Sequence, residues 1–331
     1  MNSPHPTPEP VTHVSEPSAL AAVDVVVVSW NVRAELLSCL ESVLASDGVE
    51  VRLIVVDNAS TDGSADAVAE RHPGVQLIRN PDNRGFARAA NQGIASGHAP
   101  WVLLLNPDTV VGSDGIARLV AHLDGLPEHA MVVPQLTDAA GHVRQSAFLF
   151  PSIPVALMFA VGAHHLLPQS RRQRLLLPGY WGASPQDVPW AIGAVMLVRR
   201  SAIERVGLLD ESFFVYGEDM EWCQRMGSAG MRIRFTPEVS VIHHENRSGA
   251  QQFGAERTRE YLSNTLRYQR RYKGRAWAWS VFGINTASAV GHSLLTALTA
   301  RVRPSAPRTK AHAYWRDQAR GHLAVIRART P

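Results

Sequence analysis

The run Trp101-Val102-Leu103-Leu104-Leu105 ends abruptly in Asn106-Pro107-Asp108. Continuous apolar residues of this length read as a strand buried on both faces, as in the parallel sheet of an α/β protein. Pro107 has no N–H to give a sheet ladder, so pairing is expected to stop there. Asn106 and Asp108 then stand at the carboxyl end of a central strand, where open α/β sheets bind ligands. Hard cations such as Mg²⁺ take oxygen ligands and often travel with phosphates. Asn, Pro and Asp are also ordinary turn residues, and the segment alone does not separate a site from a turn.

The chain around this segment repeats the pattern. Val23–Val28, broken only by Asp24, predicts a first buried strand; Leu36, Leu37, Leu40, Val43 and Leu44 follow at helical spacing. Val51–Val56 predicts a second strand, leading into the polar cluster 57–64 and a short helix 65–71. Val75–Ile78 predicts a third strand, residues 80–85 a turn, and Phe86–Ala95 the next helix. This strand–helix alternation marks a Rossmann-like, mostly parallel half. No GxGxxG follows the first strand, which argues against a dinucleotide site. By the crossover rule the loops at Ser29–Asn31, Asp57–Ser64, Asn80–Gly85 and Asn106–Asp108 share one edge of the sheet.

Further along, a helix is expected over 116–126 and strands at Met131–Val133, Trp190–Val198, Ile233–Phe235 and Val239–Ile242. Residues 145–189 resist assignment; the apolar piece Ile153–Val161 is too short to span a bilayer, and His164-His165 reads as a turn rather than a metal site. Phe213-Phe214-Val215-Tyr216-Gly217 runs into a helix opening on Glu218, Asp219 and Glu221. Acids in a first turn suit the helix dipole, but two of them beside an apolar wall also invite a raised pKa. Glu221 reads as a surface or supporting acid. Cys39 and Cys223 make no framework and read as core residues of a reducing compartment.

Residues 1–22 are rich in Pro, Ser, Thr and Glu, lack a signal-peptide pattern, and are expected to be a disordered tail. The net charge is only +4, yet the chain from Arg257 onward is much more basic than the rest, which points to an anionic surface rather than to nucleic acid. Within it, Ala276–Val302 has the length of a span but is studded with polar residues. An interfacial amphipathic helix is the expectation, with packing on the catalytic domain as the alternative.

Taken together, the sequence resembles the family 2 glycosyltransferases with a GT-A fold. The matching residues are Val27–Asn31, the loop Val55–Ser64, Asn83-Arg84-Gly85-Phe86-Ala87 with Asn91, Leu105–Asp108, Gly193-Ala194, Gly217-Glu218-Asp219, and His243 with Ser248. They span roughly residues 23–250, and the nearest likeness is to the rhamnosyltransferase-like branch. The resemblance implies a GT-A domain over 23–256 and a basic, membrane-associated helical region over 257–331. It also implies an inverting transferase moving a sugar, rhamnose from dTDP-rhamnose in that branch, from a dTDP- or UDP-sugar to a cell-wall or polyprenyl-diphosphate-linked glycan. The place of action would be the cytoplasmic face of a bacterial cell membrane.

Residue by residue, Asp219 is implied as the base and Glu218 as the group orienting the acceptor. Ser29, Asn31, Asp57, Asn58, Asn83, Gly85, Phe86, Asn91 and Asn106 are implied at the donor nucleotide, and Asp108, His243 and His244 at a divalent metal, Mg²⁺ or Mn²⁺. The family has Asp where this chain has Asn106. A neutral amide is a weaker cation ligand, so Asp108 and the nucleotide's phosphates would carry the metal. Two other readings use the same sheet: a nucleotidyltransferase, and a non-catalytic protein that binds nucleotide-sugar or membrane. The first lacks a cation in the loop after strand one before Arg33, and the second leaves Asp108 and the acid pair unexplained.

Overall fold

The computed structural model describes residues 20–166, 168, 184–244, 256–302 and 305–328. The tail expected over 1–22 lies outside the described residues up to position 19, as does Ser248. The first half runs β1 (Ala21–Ser29), α1 (Arg33–Leu44), β2 (Val49–Asp57), α2 (Ser64–Arg71), β3 (Gln76–Arg79), α3 (Phe86–Ser96) and β4 (Trp101–Leu105). After it come β5 (Thr109–Val110), α4 (Gly115–Asp124), β6 (His129–Thr137), β7 (Val143–Arg144), β8 (Ala147–Phe148) and α5 (Ile153–Ala160). Then follow β9 (Gln186–Asp187), β10 (Trp190–Ala191), β11 (Val195–Arg199), α6 (Arg200–Val206), α7 (Glu218–Ser228) and β12 (Arg232–His243). Three helices close the chain: α8 (Arg257–Lys273), α9 (Arg275–Val302) and α10 (Ala306–Arg327).

The main sheet has the order β3-β2-β1-β4-β11-β6-β12-β5. Strands β1 to β4 are parallel in register, so their polar ends share one rim, as expected. Strand β11 runs antiparallel to β4, which brings its beginning, not its end, to that rim. Alternate residues of β1 serve two cores: Val26 and Val28 pack with α3 and α7, while Val23, Val25 and Val27 pack with α1 and α4. Helices on both faces explain why the strands read as unbroken apolar runs.

Two expected elements differ. The strand placed over Trp190–Val198 is interrupted between Ala191 and Val195, and the break exposes the Gly193 amide at the rim. The two short strands near 233–242 are one strand, β12, whose register against β6 shifts between Thr236 and Ser240. Pro237 sits in that irregular stretch and cannot donate to the ladder. Strand β1 also begins at Ala21, inside the stretch read as tail.

Asp24, the charge inside β1, is fully buried. Its Oδ2 accepts from the Ala99 amide at 2.7 Å and from Arg200 Nη2 at 2.7 Å. Arg200 in turn donates to the carbonyls of Ala99 and Ile94, so the pair stitches the end of α3 to the start of α6. Removing one partner of a buried pair strands the other charge. Asp24→Ala is expected to cost about 3–5 kcal/mol, read as a lowered urea midpoint at unchanged m-value.

Candidate active site

A cavity of about 290 Å³ opens at the carboxyl rim of the sheet. Each part of the rim supplies a wall. The β1 and β2 ends give Trp30 and Asn58, the β3–α3 loop gives Asn83, Gly85 and Phe86, and the β4 end gives Asn106 and Asp108. Gly193 comes from the β10–β11 break, Glu218 and Asp219 from the start of α7, His243 from the end of β12 and Arg257 from the start of α8.

Asn58 organises the floor. Its amide donates to Asn83 Oδ1 at 2.8 Å and to the Gly85 carbonyl at 3.2 Å, and its oxygen accepts from the Arg84 amide and from Asn80. Gly85 has φ +81, and a Cβ there would meet the Phe214 carbonyl oxygen at 2.5 Å. Phe86 N–H donates to that same carbonyl at 2.7 Å, which locks the 83–86 loop to the 214–216 wall. Only glycine permits that approach. The non-glycine residues with positive φ among those described are Asn31, Ala59 and Tyr216, and each flanks this rim. Such backbone is costly and collects where surrounding structure enforces it.

Asp108 and His243 are both nearly buried, with Asp108 Oδ1 3.3 Å from His243 Nε2. Strand β12 pairs with β5 at His243↔Thr109, which sets the two side chains together. His244 instead donates its backbone amide to the Asp108 carbonyl at 2.9 Å; its side chain is exposed and outside the cavity wall. Among the described residues no three His, Cys, Asp or Glu side chains converge as a metal cage. The donor set is one carboxylate and one imidazole, with Asn106 beside them in the same wall. That set fits a divalent cation only if a ligand's own phosphate oxygens complete the shell.

Across the cavity, Asp219 Oδ2 accepts from the Gly193 amide at 2.9 Å and Oδ1 from the Met220 amide at 2.7 Å. Burial raises the Asp219 pKa, and these backbone donors oppose the rise. Glu218 is buried and its Oε2 has no partner among the described residues. Burial, and then the neighbouring Asp219 carboxylate, hold its pKa well above the ordinary range. The two acids therefore do not ionise together near their usual pKa, and Asp219, with its amide donors, is the readier to lose a proton.

Several implied residues stand elsewhere. Ser29 and Asp57 pair in register at the ends of β1 and β2, at the rim but not among the residues that line the cavity. Asp57 Oδ2 accepts from the Ser60 amide at 3.0 Å, but Asp57 Oδ1 and Ser29 Oγ are buried with no partner among the described residues. Asn31 holds the 57–64 loop, accepting from the Thr61 amide at 2.7 Å, and does not line the cavity. Asn91 ties α3 to residue 209 by reciprocal bonds of 2.9 and 3.0 Å, a structural post rather than a wall of the cavity. His164 and His165 lie in a 3₁₀ turn, Ala163–Leu166.

Glu221, read as a surface or supporting acid, is only 1% exposed. It is paired with Arg225 at 2.8 Å and accepts from the Tyr272 hydroxyl at 2.6 Å. The thiols Cys39 and Cys223 are buried, free and pushed by burial to about 12, so they are inert core residues as expected. Tyr216 and Arg257, whose guanidinium lies 5.5 Å over the Tyr216 ring, belong to the site and were not anticipated. Periodicity carries no signal for them.

The fold and this rim define a nucleotide-sugar-type α/β transferase of the GT-A kind. The chain matches the family described as Glycosyl transferase family 2 over residues 24–207. It is 32% identical over 239 residues to the N-acetylglucosaminyl-diphospho-decaprenol L-rhamnosyltransferase of Mycobacterium tuberculosis (strain ATCC 25618 / H37Rv), covering 68% of this chain and 76% of the relative. Against rhamnosyltransferase WbbL of Escherichia coli (strain K12), identity is 28% over 171 residues, 51% of this chain and 61% of the relative. In fold it is similar to the mannosyltransferase PcManGT of Pyrobaculum calidifontis, solved with GDP-Man and Mn²⁺. The TM-score is 0.58 at 18% identity, over 94% of this chain and 91% of that one. The protein belongs to glycosyl transferase family 2 and is a glycosyltransferase. That membership sets aside the nucleotidyltransferase and the non-catalytic binder.

Gly85→Ala must move either the 83–86 loop or the Phe214 backbone. It is expected to cost about 1–3 kcal/mol of stability and to cut transfer more than a surface Gly→Ala control, measured by thermal melts and initial rates.

Proposed function

We propose that the protein transfers a deoxyhexose, rhamnose from a dTDP donor, with inversion onto a glycan carried by a polyprenyl diphosphate. The observation that carries this reading is that Asp108 with His243, and Glu218 with Asp219, line one cavity. The two named relatives support the choice of sugar, and the first also supports a lipid-diphosphate acceptor.

In this reading Asn58, next to Asp57, stands on the nucleotide side of the cavity, and Asn83, Gly85 and Phe86 bound the space for the sugar. Asp108 and His243 would hold a divalent cation, Mg²⁺ or Mn²⁺, whose chemistry is Lewis-acid neutralisation of the leaving diphosphate. Arg257 adds a fixed positive charge to the same cavity wall. The acceptor hydroxyl attacks the anomeric carbon and gives its proton to Asp219. The sugar–diphosphate C–O bond breaks, and the electron pair leaves with the nucleoside diphosphate. Glu218, protonated while Asp219 is ionised, keeps a hydrogen to donate toward the acceptor.

The C-terminal helices support action at a membrane surface. Helix α9 is long and apolar enough to cross a bilayer by length and composition, and most of it is unburied. Leu294, Leu295, Leu298 and Val302 are exposed on it, and α5, which packs on α9, exposes Leu157 and Phe159. Yet α9 is tied along its length to α10 by Thr286–His322, a His292–Trp315 stack and Thr296–His312. Helix α10 carries Arg308, Lys310, Arg316, Asp317 and Arg320, which a hydrocarbon core would reject. A pair so bound lies on the cytoplasmic leaflet rather than across it.

With Mg²⁺ or Mn²⁺, one nucleotide-sugar from a panel, dTDP-rhamnose first, should raise the melting temperature and be slowly hydrolysed; a panel with no binder defeats the donor reading. Asp219→Asn should lower kcat by about 10²–10⁴-fold at unchanged donor affinity. Because the base form of Asp219 exists only above its raised pKa, kcat/KM should climb with pH along a limb displaced above about 4. A limb at or below that value contradicts the assignment. Leu295→Glu with Leu298→Glu should release the protein from floated vesicles while sparing donor hydrolysis; retention on the vesicles would rule out this face as the contact.

A further inference from the structure

Helix α10 crosses the first turns of α8 at a close approach. A Cβ on Gly321 would meet Thr258 Cγ2 at 2.6 Å and Leu262 Cδ1 at 3.4 Å. The missing side chain lets Val325 enter a small core with Leu262, Leu266, Ala278 and Phe282. Along this seam runs a groove lined by Arg259, Arg320, Leu323, Ala324 and Arg327. Positions 320, 323, 324 and 327 fall on one helical stripe, so two guanidiniums bracket an apolar floor, and Arg259 faces them from α8.

These arginines are short of acids. Arg320 and Arg327 are exposed, and neither has a carboxylate in salt-bridge range among the described residues. Among the described residues Arg259 has an exposed 3.8 Å pairing with Glu256 and no other carboxylate, an arrangement worth little. Three guanidiniums gathered at one seam repel one another and favour an anion between them. The amino end of α8, a helix of 17 residues, adds the positive end of its dipole.

The groove also has an address. Arg257, two residues before Arg259 in the same turn, lines the catalytic cavity. The two hollows therefore take residues from one turn of α8 and lie toward opposite sides of it. Leu323 and Ile326 lie partly exposed on α10 beside the groove.

We propose that this groove binds the diphosphate of the lipid-linked acceptor, with Leu323 and Ala324 beneath the first prenyl carbons. The proposal rests on the acceptor reading given under Proposed function. A diphosphate joins the acceptor's sugar to its prenyl chain, so its site must lie between the reaction cavity and an apolar, membrane-facing surface. The groove shares the first turn of α8 with the reaction cavity, and Leu323 and Ile326 give it exposed apolar surface. Guanidinium forks suit the several oxygens of a diphosphate and hold it in one orientation. A phospholipid headgroup offers the same phosphate chemistry, and the test separates the two sources.

Farnesyl diphosphate in detergent micelles is titrated calorimetrically into the full chain, with farnesol as the neutral control. Arg320→Gln with Arg327→Gln is expected to weaken farnesyl diphosphate binding on the order of a hundredfold, about tenfold per charge-assisted contact. The KM for a polyprenyl-diphosphate-linked acceptor should rise with it, while kcat and the donor KM stay unchanged. Arg320→Lys should fall between, keeping the charge but losing the fork. Unaltered farnesyl diphosphate binding overturns the proposal. So does a loss confined to vesicles containing phosphatidylglycerol, which would assign the arginines to headgroups. Donor hydrolysis reports separately. If no nucleotide-sugar is used yet farnesyl diphosphate binding depends on these arginines, the transfer reading fails and the groove stands.

Discussion

The Gly193 amide donates to Asp219 Oδ2 at 2.9 Å, and that bond joins two parts of the chain that meet only at the rim. Gly193 is there because β11 runs antiparallel to β4 and presents its beginning at the edge where the parallel strands end. Asp219 is there because α7 starts from the 213–217 wall, which the Gly85–Phe214 approach clamps to the β3–α3 loop. A sheet parallel throughout would have sent the β11 amide to the far edge. One reversed strand thus lets the rim formed by the parallel strands also hold a carboxylate in place.

The electrostatics of the two sides differ in kind. Asp108 faces an imidazole and an open cavity, so its charge has a use only when a cation or ligand arrives. Asp219 is satisfied by backbone amides, and Glu218, beside it, has an oxygen with no partner among the described residues. Two carboxyl groups so close in a dry setting share the task unequally, one surrendering its proton and the other keeping it. The Asp108–His243 pair and the Glu218–Asp219 pair thus line one small cavity with different electrostatics.

Much of this was legible in the chain. The apolar runs at Val23–Val28, Val51–Val56 and Trp101–Leu105 placed the parallel strands, and the polar residues after each marked the rim, because burial on both faces leaves no alternation to misread. The break at Ile192–Ala194 was not legible: apolar residues continue across it, and only the tertiary bond to Asp219 explains the interruption. For Glu221 the supporting half of the reading holds and the surface half does not, because its partners, Arg225 aside, are Tyr272 and Arg271, about fifty residues away. Ser29, Asn31 and Asn91 matched motif positions, yet Asn31 and Asn91 serve the loops and Ser29 is not among the residues that line the cavity. A motif names a neighbourhood, and hydrogen bonding decides which members face the ligand. Arg257 went unnoticed since nothing in local spacing announces a cation delivered by a distant helix.

The pairing of Glu221 with Tyr272 reaches beyond packing. Tyr268 meets Gln224 at 2.7 Å and Asn264 meets the Val215 carbonyl at 2.9 Å, so α8 grips the same segment that presents the acid pair. Trimming the chain at its apparent catalytic boundary, a common route to a soluble fragment, would uncover a buried carboxylate and slacken the helix that carries the acids. Crystallographers and engineers of this fold would do better to repaint its greasy helices than to amputate them.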